Sequence, residues 1–269
     1  VAQNDSGQIR TAVPRAGAPA SFADLTDNPE EQKFFAVLVE MDRQIGRLLD
    51  QLDATGQTDN TIVLFLSDNG ATAEQINRGD RHVPGAASGS ADSYLALGPG
   101  WSTAANTPFS LHKHWNHEGG IATPFIVSWP AGIEAGGELR TTPAHAIVVV
   151  PTLLDLAGIE TNAVYPENKH PPETTPPPLP GESLVPAFAA DPEWADRTFF
   201  FQHTDNRALR AGDWKIVMRR DNHDRWELYH LATDRAERHD LAKQHPTRLA
   251  QMVNEWERRS RQYDLDAMR

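Results

Sequence analysis

Residues 61–66, Thr-Ile-Val-Leu-Phe-Leu, form a short, continuous, β-branched run that ends on Ser67, Asp68, Asn69 and Gly70. A run without polar alternation predicts a strand buried on both faces, as in a parallel sheet. The segment before it predicts a long helix. Asn28 is a capping residue, Pro29 suits the first helical position, and Glu31 stands where a capping-box acid belongs. Phe34, Leu38, Met41, Ile45, Leu48 and Leu52 recur at alternating steps of four and three, which gives one apolar face, and Gly56 supplies the stop. Helix then buried strand is half of a βαβ unit. In open α/β sheets ligands gather beyond the carboxyl ends of strands, and Asp68 and Asn69 stand at such an end.

The rest of the chain reads as alternating order and excursion. Residues 1–27 are rich in Ala, Gly, Pro and Ser and read as a linker. Residues 71–110 are polar and Gly-rich, with weak periodicity, and a long excursion of this kind in a compact domain is often functional. Residues 124–129 predict a second buried strand, and residues 147–157 a helix with Pro151 in its first turn and Gly158 as its stop. The Pro-rich stretch 166–180 excludes helix and central strand. Beyond it, residues 198–202, 207–210, 214–218 and 226–229 are short strands of an antiparallel meander, with turns at 211–213 and 221–224. A final helix starts near residue 246, with Leu249, Val253 and Trp256 on one face. The fold class is therefore α/β. Residues 1–194 read as part of one α/β domain, and residues 195–269 as a small α+β subdomain with an antiparallel sheet and one helix.

Composition narrows the function classes. A formal net charge of −12 repels polyphosphate backbones, so nucleic acid is not an expected partner. No apolar run approaches the roughly 20 residues that span a bilayer, so no membrane partner is expected either. The chain has no cysteine, which removes disulfides, thiolate zinc sites and cysteine nucleophiles. Its first residues, Val-Ala-Gln-Asn-Asp-Ser, have neither an initiator Met nor the basic and apolar regions of a signal peptide, as a truncated chain would.

Two segments carry candidate chemistry. Asp68 and Asn69 offer a carboxylate and an amide oxygen, the donor types of a hard divalent cation such as Ca²⁺ or Mg²⁺. The same Asp-Asn-Gly is also a common turn. The denser segment is 113–120, Lys-His-Trp-Asn-His-Glu-Gly-Gly. Lys113 can neutralise an oxyanion, His114 and His117 can move protons, and Glu118 with two glycines suggests a tight turn that brings backbone close to a ligand. The bland reading is a solvated loop with a salt bridge. The order H-x-x-H-E matches no zinc-protease motif. His203, Asn206 and Arg207 read as structural, with Arg207 in an ion pair. No G-x-S-x-G, G-x-G-x-x-G or P-loop is present.

Taken in order, these segments resemble the type I sulfatases of the alkaline phosphatase-like superfamily. Residues 59–70 are similar to the family's helix, strand and metal loop. Residues 106–109 (Asn-Thr-Pro-Phe), 113–120 and 121–130 are similar to its lysine and Glu-Gly-Gly stretch. His145 with residues 151–158 resembles a later helix, and residues 206–215 with 226–229 resemble its C-terminal subdomain. The resemblance covers most of residues 30–265. It implies part of an alkaline phosphatase-like sheet flanked by helices and an arylsulfatase-like sulfuric ester hydrolase.

The roles it implies attach to particular residues. Asp68 and Asn69 match protein ligands of an active-site cation, usually Ca²⁺. Lys113 matches the lysine that contacts sulfate and steadies the leaving oxygen, and His114 lines the substrate pocket. The two groups are expected to converge on one anion pocket. The family's nucleophile is a formylglycine made from Cys or Ser in C-x-P-x-R or S-x-P-x-R, and this sequence contains neither. The substrate implied is a sulfate monoester, the partner a complementary N-terminal half, and the setting periplasmic or extracellular. Departures are Val148, where the family commonly has Asp, and Ser110, where relatives often have Arg. Two alternatives stand beside this: a non-catalytic split chain serving as partner half or binding module, and a piece of a phosphoester or phosphonate hydrolase.

Overall fold

A computed structural model describes residues 2–3, 9–10, 29–74, 82–86, 90, 92, 96–134, 136–160, 179, 181–192, 197–222 and 225–267. The Asn28 cap and nearly all of the Pro-rich stretch 166–180 lie outside these residues. The chain packs as two units: residues 1–107 with 122–138, and residues 108–121 with 139–269.

In the first unit, β1 (Ala2–Gln3) pairs antiparallel with β2 (Ile9–Arg10). The expected long helix is α1 (Pro29–Ala54). Gly56 ends it with a left-handed φ of +65°, and Gln57 N returns to Leu52 O at 3.0 Å, so the last turn closes on a residue without a Cβ. The apolar face of α1 is largely uncovered: Leu38, Met41 and Leu48 are exposed, Leu48 at 69%.

The expected strands are present as β3 (Val63–Leu66) and β4 (Phe125–Ser128), but not as parallel, doubly buried strands. They pair antiparallel, Val63 opposite Ser128 and Leu66 opposite Phe125. Their residues are half-buried, and Leu66 is exposed. An apolar run fixes burial tendency but not the direction of its neighbour, which here arrives from about sixty residues downstream. Ala131 N donates to Asp59 O at 2.8 Å and continues the pairing. The excursion 71–110 contains one helix that weak periodicity hid, α2 (Gly98–Asn106). It starts with Pro99 in its first turn and buries Ser102 and Asn106. Those two polar residues are the only buried ones of this unit among the described residues.

The second unit holds the hydrophobic core. It comprises α3 (Glu118–Ile121), a 3-10 turn (Ala146–Val148) running into α4 (Val149–Leu156), a second 3-10 turn (Val185–Phe188), strands β5 (Thr198–His203), β6 (Asn206–Ala211), β7 (Trp214–Met218) and β8 (Trp226–His230), and helix α5 (Pro246–Ala267). The four strands form one antiparallel sheet in chain order. Side chains alternate across it. One face presents Leu209, Ile216 and Leu228 to Met252 and Trp256 of α5. The other presents Ala208, Val217, Tyr229 and, from the following turn, Leu231.

Elsewhere in this unit, loops are held by side chains. Thr152 Oγ1 donates to Val148 O at 2.6 Å and accepts from Leu184 N at 2.8 Å. Asp191 accepts from the amides and hydroxyls of Thr141 and Thr142 at 2.7–3.0 Å. These bonds hold its carboxyl well below the ordinary carboxylate range, the Thr141 amide contributing most.

This asymmetry of burial has a measurable consequence. Amides of β6 and β7 should exchange with deuterium slower than those of β3 and β4 by on the order of 100-fold, because local opening is governed by buried apolar contact. Equal protection of the two pairs in a hydrogen-exchange time course would contradict the burial pattern.

Candidate functional site

The Asp68–Asn69 loop is clamped at both ends. On one side Thr123 Oγ1 donates to the Ser67 carbonyl at 2.9 Å, and Ser67 Oγ donates to Asn69 O at 3.0 Å. On the other, the Asn106 carboxamide grips Ala71, accepting from its amide at 2.8 Å and donating to its carbonyl at 3.2 Å. One buried side chain thus pairs with both backbone groups of Ala71, as a neighbouring strand would. Asp68 is exposed and Asn69 half-buried. Two hard oxygen donors on a fixed loop fit a divalent cation as part of its shell of six to eight oxygens. Among the described residues no group of three or more His, Asp or Glu is placed to hold one.

Lys113 and His114 belong to the second unit. Their loop coils tightly: Trp115 N donates to His112 O at 3.1 Å, Gly119 N to Ser110 O at 2.9 Å, and Gly120 N to His117 O at 2.8 Å. The glycines are required by this coil. A Cβ on Gly119 would stand 2.3 Å from the carbonyl oxygens of Ser110 and Leu111, and one on Gly120 only 2.0 Å from Trp115 O. The close approach is therefore to the loop's own backbone rather than to a ligand. Leu111 and His114 take positive φ values of 66° and 81°, which L-residues rarely adopt.

A buried ionic network holds this loop on the sheet. Lys215 of β7 is fully buried, and its Nζ lies 2.9 Å from Glu118 Oε1 and 2.8 Å from Glu237 Oε1. Glu237 Oε2 accepts from Glu118 N at 2.7 Å. The other oxygen of Glu118 takes Arg235 Nε at 2.6 Å. Burial alone would raise the Glu118 pKa, but the charges of Lys215 and then Arg235 outweigh it and hold the carboxyl at about 2. Beside it His117 Nε2 faces Glu227 Oε2 at 3.3 Å, and Tyr229 donates to the same oxygen at 2.9 Å. Burial raises Glu227 as well, yet the His117 and Tyr229 hydrogen bonds bring it down to about 2. Tyr229 moves the other way, its phenol raised by burial and by the Glu227 charge.

The loop is tied elsewhere too. Ser110 Oγ donates to Ala236 O at 2.6 Å, and Asn206, buried at the start of β6, donates from Nδ2 to His114 O at 2.8 Å. The side chain of Lys113 remains half-buried with no described carboxylate of its unit paired to it. His117 and Glu118 therefore shape the loop, and Ser110 anchors it. Arg207 is not in an ion pair among the described residues. Its guanidinium lies 5.0 Å over the Trp256 ring instead, because β6 alternation turns it toward α5. His145 Nδ1 accepts from Ile147 N at 3.2 Å, with its ring against Phe199 and Phe201; burial lowers its pKa.

Sequence reasoning missed Lys215, Arg235, Glu237 and Glu227 as parts of the site's support. One signal was available. Lys215 and Glu227 fall at alternate positions of two otherwise apolar strands, where a charge has to meet a partner.

Known proteins match the chain along its length. The profile of the sulfatase family matches residues 16–159, and that of N-sulphoglucosamine sulphohydrolase C-terminal regions matches residues 109–262. An uncharacterized sulfatase of Schizosaccharomyces pombe is 30% identical over 281 residues, 95% of this chain and 49% of that protein. An arylsulfatase of Klebsiella aerogenes is 34% identical over 171 residues, 56% of this chain and 36% of that protein. The chain spans half or less of the length of these relatives. The crystal structure of Ps i-CgsB with k-i-k-neocarrahexaose aligns at a TM-score of 0.63 and 23% identity, over 95% of this chain and 53% of that one. That likeness concerns the fold.

Two outcomes follow from the network. Lys215→Met would take the cation from buried Glu237 and leave Glu118 with Arg235 alone, and should cost about 3–5 kcal/mol, read as a fall in the denaturation midpoint. Glu118 and Glu227 titrate near 2 in the folded state against an ordinary 4.5. Their contribution is thus complete above pH 4.5 and is lost as pH falls toward 2. Urea midpoints measured across that window should decline, and a flat profile would contradict the network.

Proposed function

This chain belongs to the sulfatase family, and from that premise we propose that it serves sulfate-monoester hydrolysis, with Lys113 as its sulfate contact and Asp68 and Asn69 as part of its metal site. The α/β fold, of the alkaline phosphatase-like kind, supports the same reading. One observation carries it. The loop bearing Lys113 is wound on two obligatory glycines and locked to a hydrophobic sheet by buried charges, while no carboxylate among the described residues of its unit is paired with the ammonium. A half-buried cation on an immobilised loop is preorganised for an oxyanion, since no reorganisation is needed as charge develops on the leaving oxygen.

In this reading Lys113 neutralises sulfate and His114 borders the substrate. Asp68 and Asn69 would supply oxygen ligands to a Ca²⁺, or Mg²⁺, ion, whose charge would polarise sulfate oxygens. The sequence has no Cys and no Ser in S-x-P-x-R, so the formylglycine nucleophile comes from a complementary N-terminal half. The same absence supports a second reading, in which the chain by itself is a non-catalytic partner half. No helix among the described residues is long and apolar enough to cross a membrane. We place the assembled enzyme in a periplasmic or extracellular setting, by analogy with the family.

The test is turnover of p-nitrophenyl sulfate in the presence of Ca²⁺. The chain alone should give none and should bind Ca²⁺ weakly; robust turnover by it would overturn the split-site reading. In an assembly that includes the complementary half, Lys113→Ala should lower kcat by about 10²–10³-fold, the usual loss of one oxyanion-stabilising group. Unchanged kcat would remove Lys113 from the chemistry.

A further inference from the structure

Asn69 is followed by Gly70, and this is the one Asn-Gly step in the chain. An asparagine in such a step has a nucleophile next to it in its own backbone, because the amide of a glycine is not shielded by a Cβ. That amide can react only where it is not already engaged in a hydrogen bond. Residues 68–69 form a bend, and among the described residues neither the Gly70 amide nor the Asn69 carboxamide has a hydrogen-bond partner. Asn69 and Gly70 are half-buried and Ser67 and Asp68 are exposed, so water reaches the loop.

The other described asparagines of this unit stand differently. Asn60 is exposed, but the amide after it belongs to β-branched Thr61 and donates to Thr58 O at 3.3 Å. Asn106 has both ends of its carboxamide on Ala71, and the amide after it, that of Thr107, donates to Ala104 O at 3.4 Å. At Asn69 the backbone is held on either side, at Ser67 O by Thr123 and at Ala71 by Asn106, and the peptide group between Asn69 and Gly70 is engaged only at its oxygen. There Ser67 Oγ donates to Asn69 O at 3.0 Å. That oxygen takes up the negative charge when the Gly70 amide loses its proton, since both belong to one conjugated peptide group. A hydroxyl already aimed at it stabilises the anion without reorganisation, as a donor in an oxyanion hole does. The neighbouring Asp68 carboxylate opposes the same charge, but it is exposed and screened by water and salt.

We propose that Asn69 is a self-modification site, converted by its own backbone with Ser67 as the assisting group. Hydroxide takes the Gly70 amide proton, and the amide nitrogen attacks Asn69 Cγ. The N–Cγ bond forms, the Cγ–Nδ2 bond breaks, and the side-chain nitrogen leaves as ammonia, taking a proton back from water. A cyclic imide remains. Water then opens the ring at Cγ, which gives aspartate, or at the Asn69 carbonyl carbon, which gives isoaspartate with the main chain rerouted through the side chain. Either product puts a carboxylate in place of a neutral amide beside Asp68, and isoaspartate also lengthens the loop between its clamps at Ser67 and Ala71. The inference does not depend on Asn69 being a metal ligand.

The experiment incubates the whole chain in mildly alkaline buffer and follows the tryptic peptide between Arg47 and Arg78 by tandem mass spectrometry, with aspartate and isoaspartate forms separated by chromatography. Asn69 should convert while Asn60, in the same peptide, stays an amide. Ser67→Ala should slow the conversion about fivefold, the rate equivalent of one ordinary hydrogen bond. Ser67→Thr, which keeps the hydroxyl, should convert at close to the unaltered rate. In concentrated urea, where the Ser67 contact is gone, all three chains should convert equally fast. An Asn69 that stays intact in the folded chain over a period that converts it fully in urea would overturn the site. Equal rates for the folded unaltered and Ser67→Ala chains, or a Ser67→Thr chain as slow as Ser67→Ala, would overturn the part given to the Ser67 hydroxyl.

Discussion

The buried ammonium of Lys215, held between Glu118 and Glu237, is the interaction on which the lysine loop depends. Arg235, half-exposed, adds a second cation on Glu118, so two cations face two carboxylates. Such a quartet is not a strong source of stability, because removing its three buried charges from water is costly. Its value lies in selectivity of geometry. Only one placement of residues 118–121 puts Glu118 against Lys215, its amide on Glu237 and the two glycines under the carbonyls of the preceding coil. The position of Lys113 follows from that placement.

The sheet β5–β8 divides its labour between its faces. Toward α5 it is apolar, with Leu209, Ile216 and Leu228 on Met252 and Trp256, and this face supplies the hydrophobic stability of the unit. Toward the lysine loop it is mixed. Val217 and Tyr229 alternate in space with Lys215 and Glu227, and this face orients rather than stabilises. The loop of Asp68 and Asn69 is treated with the same economy. Asn106 and Thr123 fix the backbone on either side of Asp68 and Asn69 through Ala71 and Ser67.

Much of this was legible in the chain. The meander strands and the final helix fall where alternation and turn residues put them, because each is specified by local pattern. Helix α1 is likewise visible from its apolar spacing and its glycine stop. Helix α2 was not, since Gly98, Pro99 and Gly100 look like a turn and its buried side chains are polar. The antiparallel pairing of β3 with β4 was not either, because continuous apolar character says nothing of strand direction. Arg207 was assigned an ion pair by its charge, yet strand alternation delivers it to an aromatic ring.

By itself the sequence determined the elements, the kinship with sulfatases, and the residue types available for chemistry: a carboxylate and an amide after a strand, and a lysine before Glu-Gly-Gly. These are local patterns, and short-range sterics and periodicity encode them directly. Only the tertiary structure decided what Glu118 is for, because its partners lie 97 and 117 positions away, and which backbone Gly119 and Gly120 had to accommodate. It alone also brought Asn106 and Thr123 to the two sides of the Asn69 loop. Long-range pairing of charges depends on where a folded surface places them, and no spacing along the chain carries that information.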